Sequence, residues 1–212
     1  MVKLKSLRKN VLKSLVIVIV LAILGGGLMG FHAKRSQTTT YTAKTNIIVS
    51  HDLNNVSNEN TNDGQTIVNA DLNMMPTYED IAKNITISKQ AKKYLPLKVR
   101  KEYSLDDINN AVNAKTRPQS LVLTMEATTK SKYDSVEIAN SSAKAFIKEL
   151  PKVQTGVNNV RIIDKATKLN TTSKTSPSVK KYVAVGIALG GLIGLIISFM
   201  FITSKEFNST RK

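Results

Sequence analysis

Two charge-free apolar runs, one near each end, constrain this chain more than any other feature. Leu15–Phe31 covers 17 residues and Tyr182–Thr203 covers 22. A helix needs about 20 apolar residues, and no fewer than about 17, to cross a hydrocarbon core of roughly 30 Å. Neither run has the polar face that a surface helix of a water-soluble domain carries. All 5 prolines lie outside both runs, so no helix breaker interrupts either. Both runs are therefore read as membrane-spanning helices.

A cleaved signal peptide is the alternative for the first run, with Lys3, Lys5, Arg8, Lys9 and Lys13 as its positive region. The apolar stretch exceeds the usual length of about 7–15 residues, and Phe31-His32-Ala33 is a poor small-x-small cleavage site. Both points favour an uncleaved anchor. The same five basic residues, with no acid among them, assign the N-terminus to the cytoplasm. Lys34 and Arg35 after the first span, and Lys180 and Lys181 before the second, pull the other way. They flank a loop too long for local charge to govern. Two spans then return the C-terminus to the cytoplasm of a cell-membrane protein. The resulting divisions are a basic N-terminus (1–14), a first span (15–31), an extracytoplasmic domain (32–181) ending in a polar linker (167–181), a second span (182–203) and a short cytoplasmic tail (204–212).

The formal net charge of +16 does not point to nucleic acid. It divides into +5 before the first span, +9 in the loop and +2 after the second span. The flanking charges suit anionic lipid headgroups. The loop's excess faces outward, where polyanionic wall or capsule polymers are its natural counterparts. Its densest patch is Lys89, Lys92, Lys93, Lys98, Arg100 and Lys101. A merely solvated basic face is the alternative reading of that patch. The absence of cysteine excludes disulfides and thiol chemistry.

Between the runs, β-branched Thr40–Ser50 has strand character, and the Asn-rich stretch Leu53–Gly64, with Asn62-Asp63-Gly64, reads as a loop and turn. Thr77-Tyr78-Glu79-Asp80 fits a capping box opening a helix that breaks near Thr86–Ser88 and continues to Leu95-Pro96. A second box at Ser104–Asp107 opens a short helix through about Ala114. Leu121, Leu123 and Met125 alternate with Val122, Thr124 and Glu126, which predicts a strand over Ser120–Thr128. The longest helix of the loop is expected over Lys132–Leu150, behind Ser131 and Asp134, with Val136, Ala139, Ala143, Phe146, Ile147 and Leu150 on one face and Pro151 ending it. Val160–Asp164 is a last short strand, and Thr167–Pro177 is a polar lead into the second span. This order predicts an α+β fold with helices packed on one face of a small sheet.

No catalytic set stands out. The 2 histidines, His32 and His51, are far apart in sequence, and the carboxylate pairs Glu79-Asp80 and Asp106-Asp107 sit at predicted helix starts, where capping explains them. No Walker-type phosphate loop is present, and tryptophan is absent. The reading is therefore of no enzyme, no cofactor and no metal. Inside the membrane, Gly186, Gly190 and Gly194 fall at i, i+4 and i+8, and Ala22, Gly26 and Gly30 repeat the spacing in the first span. Small residues so spaced form a groove that another helix backbone can approach closely. That partner is either the sister helix or a neighbouring subunit.

These segments, in order, resemble a known family. They are the basic N-terminus and first span, Tyr41–Val49, Ile67–Leu72 leading into Thr77–Ile81, Leu105–Ile108, Ile138–Ser141 with Phe146, Val160–Ala166, and Ser176-Pro177-Ser178 before a glycine-rich second span. The set resembles the bacterial polysaccharide co-polymerases, or Wzz-type chain-length determinants, and most closely the Gram-positive membrane modulators of capsule and exopolysaccharide tyrosine kinases. The resemblance covers nearly the whole chain. It implies a non-enzymatic homo-oligomer that sets polymer length, working with a polysaccharide polymerase or the nascent polymer. It also implies a tail that docks on a separate cytoplasmic tyrosine kinase. Lys205–Lys212 resembles the start of that tail, and Phe207, its one large apolar side chain, is the candidate kinase contact. A two-span extracytoplasmic sensor or adaptor unrelated to polysaccharide is the alternative.

Overall fold

In hydrocarbon a backbone has no water to bond, so an apolar spanning segment closes its hydrogen bonds on itself as a helix. The computed structural model describes residues 2–51, 61–157 and 159–210, with side chains described for 12–51, 64–157 and 159–204. Its first helix, α1, is Val2–Arg35, and Leu12–Arg35 within it is long and apolar enough to cross a membrane.

Strand β1 (Thr38–Ser50) follows from eight Thr, Ile and Val residues among its 13. Its side chains alternate: Ala43, Thr45, Ile47 and Val49 are buried, while Lys44 between them is exposed. Helix α2 is Thr61–Ala82 and runs straight through the expected capping box at Thr77, with Pro76 inside it. Its inner face, Asp71, Met75, Tyr78 and Ala82, is buried at helical spacing. Burying that seam outweighs the one backbone bond that Pro76 removes. Glu79, inside the expected box, accepts from the Thr116 backbone N–H at 3.1 Å and the Thr116 hydroxyl at 3.2 Å. The expected turn at Asn62-Asp63-Gly64 is the opening of α2, because Asn, Asp and Gly serve helix starts as readily as turns. The rest of that predicted loop, residues 53–60, lies outside the described residues.

Asn84 caps α3 (Ile85–Tyr94), its Oδ1 accepting from the Thr86 N–H at 2.9 Å. The break therefore falls at Lys83-Asn84, ahead of the expected Thr86–Ser88. Helix α4 (Leu97–Glu102) follows Pro96, and α5 (Leu105–Ala111) opens on the full reciprocal box between Ser104 and Asp107. The hydrogen bonds from Ser104 hold the Asp107 carboxyl below its ordinary value. Helix α5 ends before Ala114, because Val112–Thr116 is drawn off as strand β2 by antiparallel pairing with β3 (Val122–Thr129). Helix α6 (Lys132–Val153) carries Pro151 in its last turn and still closes with Gln154 N–H to Leu150 O at 2.9 Å. Strand β4 is Asn159–Asp164, and the polar lead toward the second span contains a further strand, β5 (Thr172–Ser176). Helix α7 is Val179–Thr210, with Val179–Ser204 of membrane-spanning length.

The chain forms two compact units, Thr39–Lys174 and the paired terminal segments Met1–Thr38 with Thr175–Lys212. In the first, the sheet order is β2-β3-β1-β4, with β5 also on β1. The fold is α+β. Ile47, Val49, Leu123, Met125 and Ala114 line the covered face with Tyr78 of α2 and Ile138, Phe146 and Leu150 of α6 in one buried core. The other face is polar and cross-linked by register neighbours: Thr42 with Thr128 at 2.8 Å, and Thr124 donating to Asn46 at 2.8 Å. Asn140 of α6 ties helix to sheet. Its Oδ1 accepts from the Thr45 hydroxyl at 2.8 Å and from the Ala166 N–H at 3.0 Å, and its Nδ2 donates to Ala166 O at 3.0 Å.

Candidate functional site

Glycine leaves the helix backbone bare on one side, and in the membrane unit α1 and α7 use this directly. A Cβ built on Gly186 would fall on the carbonyl oxygen of Gly25, and one on Gly25 would fall on the carbonyl of Gly186. One on Gly190 would meet the Leu21 carbonyl and lie 3.1 Å from the Ala22 Cα. One on Gly194 would lie 2.8 Å from the Val18 Cα. The three-glycine row of α7 thus lies along Val18, Leu21, Ala22 and Gly25 of the sister helix, with the chains antiparallel. A Cβ on Gly26 would meet the Ile187 side chain first, and one on Gly30 the Val183 side chain. Among the α1 glycines the closest approach is at Gly25, one position away from the Ala22-Gly26-Gly30 row. Spacing alone could not choose between them, because Gly25, Gly26 and Gly27 are consecutive.

In the other unit, the six-residue basic patch is spread over α3 and α4. Lys89, Lys93, Lys98, Arg100 and Lys101 are exposed and Lys92 is half-buried. Arg100 has a structural task, donating to the carbonyls of Lys93 at 3.1 Å and Leu95 at 2.9 Å, where α3 ends with unsatisfied acceptors. Packing of α6 on α3 adds two cations that the sequence patch did not contain: Lys144 Nζ lies 4.6 Å from the centre of the Tyr94 ring, and Lys148 Nζ lies 6.0 Å from it. They are 50 and 54 residues away along the chain from Tyr94, and only the helix pairing shows that they belong to the same surface.

The carboxylates are engaged elsewhere. On the polar face of the sheet, Glu126 is held between Lys44 at 3.0 Å and Lys115 at 2.9 Å. Burial pushes its carboxyl up, but Lys115 and Lys44 together hold it below its ordinary value. His51 is paired with the buried Asp71, whose second oxygen accepts from the His51 backbone N–H at 2.9 Å. Burial, then the nearby Asp71 charge, pushes the Tyr78 hydroxyl up. His32 lies on α1, and no group of three or more metal-ligating side chains occurs among the described residues. Phe207 falls on the helical backbone of α7, but its side chain lies outside the described residues.

No family model matches the chain. It is 24% identical to the capsular polysaccharide biosynthesis protein CapA of Staphylococcus aureus over 211 residues, all of this chain and 87% of the relative. It is 25% identical to the capsular polysaccharide type 5 biosynthesis protein cap5A of the same species over 203 residues, 96% of this chain and 83% of the relative. Over its whole length the chain resembles the Gram-positive branch of the Wzz-type co-polymerases. The type 8 protein cap8A matches over the same proportions, also at 25% identity. This family similarity runs through both apolar helices and everything between them.

Proposed function

We propose that this chain is a membrane-anchored regulator of capsular polysaccharide biosynthesis that sets polymer length and modulates a separate cytoplasmic tyrosine kinase. The observation that carries this reading is the end-to-end similarity to the staphylococcal capsule proteins. The basic N-terminus keeps both ends of the chain in the cytoplasm and puts the α+β domain outside, where polymer is handled. The reading is non-enzymatic. The carboxylates that could serve as acid or base have other partners: Asp107 closes a helix cap, Glu126 sits between two lysines, and Glu79 holds Thr116 and Lys83.

The protein works as a homo-oligomer in this reading. The α1–α7 pair uses its glycine faces internally, and its outer surfaces carry exposed Leu24, Leu28, Leu192 and Phe199, available to lipid or to a second copy. Phe207 on the cytoplasmic extension of α7 is the kinase contact. Burying a Phe in a partner's pocket contributes roughly 1.5–3 kcal/mol, enough to dominate a short docking segment.

Deleting the gene and sizing the surface polysaccharide tests the central claim. A shifted length distribution, restored by the intact gene, is expected; unchanged amount and length would refute it. For the kinase, Phe207→Ala should reduce co-purification and autophosphorylation while leaving membrane insertion intact. If removing the chain from Ser204 onward leaves kinase phosphorylation untouched, the kinase role is lost and only the extracytoplasmic one stands.

A further inference from the structure

The C-terminal end of α3 concentrates like charges that no carboxylate offsets. Lys93, Lys144 and Lys148 are all exposed, and none is within 4.0 Å of a carboxylate among the described residues. Lys144 and Lys148 are four apart on one helix, a spacing at which like charges repel. Both nevertheless turn onto the same half-buried ring, Tyr94, whose π-face attracts cations and holds the two ammonium groups together. Lys89 and Lys92 continue the positive charge back along α3. Lys44, Lys83, Lys115 and Lys152 of the same unit are instead paired with acids.

We infer that this surface, Lys93, Lys144 and Lys148 around Tyr94, binds an acidic polysaccharide. An extended polyanion removes the mutual repulsion of the cluster and releases its own counterions on contact, which drives association without a deep pocket. Lys144 and Lys148 are separated by about 6 Å along the helix axis, so both charges are presented on one face. Lysine suits this task because its flexible point charge follows a polymer's carboxylates without demanding a fixed two-pronged geometry. Arg100 is left out, since its guanidinium is committed to the α3 carbonyls. The identity of the polyanion as polysaccharide rests on the capsule reading; the cation cluster itself does not.

The test uses the full chain in nanodiscs of neutral lipid, titrated with polygalacturonate as the acidic polymer and dextran as the neutral one. Wild type should bind polygalacturonate, with affinity falling as salt rises, and should ignore dextran. The triple variant Lys93→Gln, Lys144→Gln, Lys148→Gln should bind about tenfold more weakly at moderate salt. A control triple of equal net charge, Lys130→Gln, Lys132→Gln, Lys165→Gln, should bind as wild type. Equal loss in both triples would reduce the effect to net charge and overturn the inference. So would no binding by wild type, or preferential binding to vesicles containing phosphatidylglycerol, which would make the surface a lipid contact. Capsule sizing in the deletion strain is a separate readout, so failure of the capsule reading and failure of this surface are told apart.

Discussion

Replacing Gly190 with Leu tests whether the glycine row of α7 packs within one subunit. A Cβ at this position already overlaps the Leu21 carbonyl and lies 3.1 Å from the Ala22 Cα, and both obstacles are backbone. Backbone cannot rotate away as a side chain can, so the helices must separate or slide. Overpacking of this kind costs about 1–3 kcal/mol, roughly a 5- to 150-fold shift against the close-packed pair. The assay exploits the absence of native cysteine. A Cβ on Gly191 would stand 4.0 Å from the Ala22 Cβ, within the range of about 3.5–4.5 Å that a disulfide spans. In membranes treated with a mild oxidant, the Ala22→Cys, Gly191→Cys protein should therefore cross-link within the chain, seen as a mobility shift at monomer size. Adding Gly190→Leu should lower the yield sharply. Adding Gly27→Leu should not, since a side chain there meets nothing within 4 Å. Cross-linking into dimers, or equal yields from the Gly190 and Gly27 variants, would refute intrachain packing.

Three further outcomes are expected, each read on the detergent-solubilised full chain. Phe146→Ala, at a fully buried position, should cost about 3–5 kcal/mol of domain stability, and a melt unchanged by this substitution would move the core elsewhere. Gly156→Ala should cost about 1–2 kcal/mol, because Gly156 sits at φ +88° and an added Cβ would lie 2.9 Å from His51 Nε2; an unaltered melting temperature would contradict that geometry. Glu126 has a folded-state pKa below its unfolded one, so its contribution is complete above the ordinary value of 4.5 and is lost as pH falls through the lower folded value. Wild type should therefore lose stability more steeply than Glu126→Gln as pH drops below 4.5, and parallel curves would remove the two-lysine clamp from the account.

What could be read from sequence was what depends on composition and local pattern. The apolar runs, the alternation in β1 and β3, the seam of α6 and the Ser104 box all lie within a few residues of their causes. The failures lie where a distant partner decides. Val112-Asn113-Ala114-Lys115-Thr116 is too short and too weakly β-branched to announce a strand, and it becomes β2 because β3 offers it a ladder. Thr77-Tyr78-Glu79-Asp80 has every local mark of a helix start, yet Tyr78 must be buried on the same seam as Asp71 and Met75, which carries α2 straight through it. Lys144 and Lys148 could not be joined to the α3 cations before α6 was known to pack there. Strand β5 is five exposed residues with no buried face, and only its pairing with β1 defines it.

The position of β1 has a consequence for biogenesis. On the proposed topology it is the first strand to leave the membrane, yet its ladders are made with β3, β4 and β5, the nearest of which begins 72 residues after β1 ends. Until Val122 and the residues beyond it have crossed, a 13-residue β-branched strand has no partner on either side. Its final neighbour, β5, closes only two residues before α7 begins. Completion of the sheet and arrival of the second membrane helix are thus nearly the same event. On the proposed topology, an arrest in translocation anywhere short of that point leaves an open strand edge outside the membrane, a natural target for holdase chaperones and proteases.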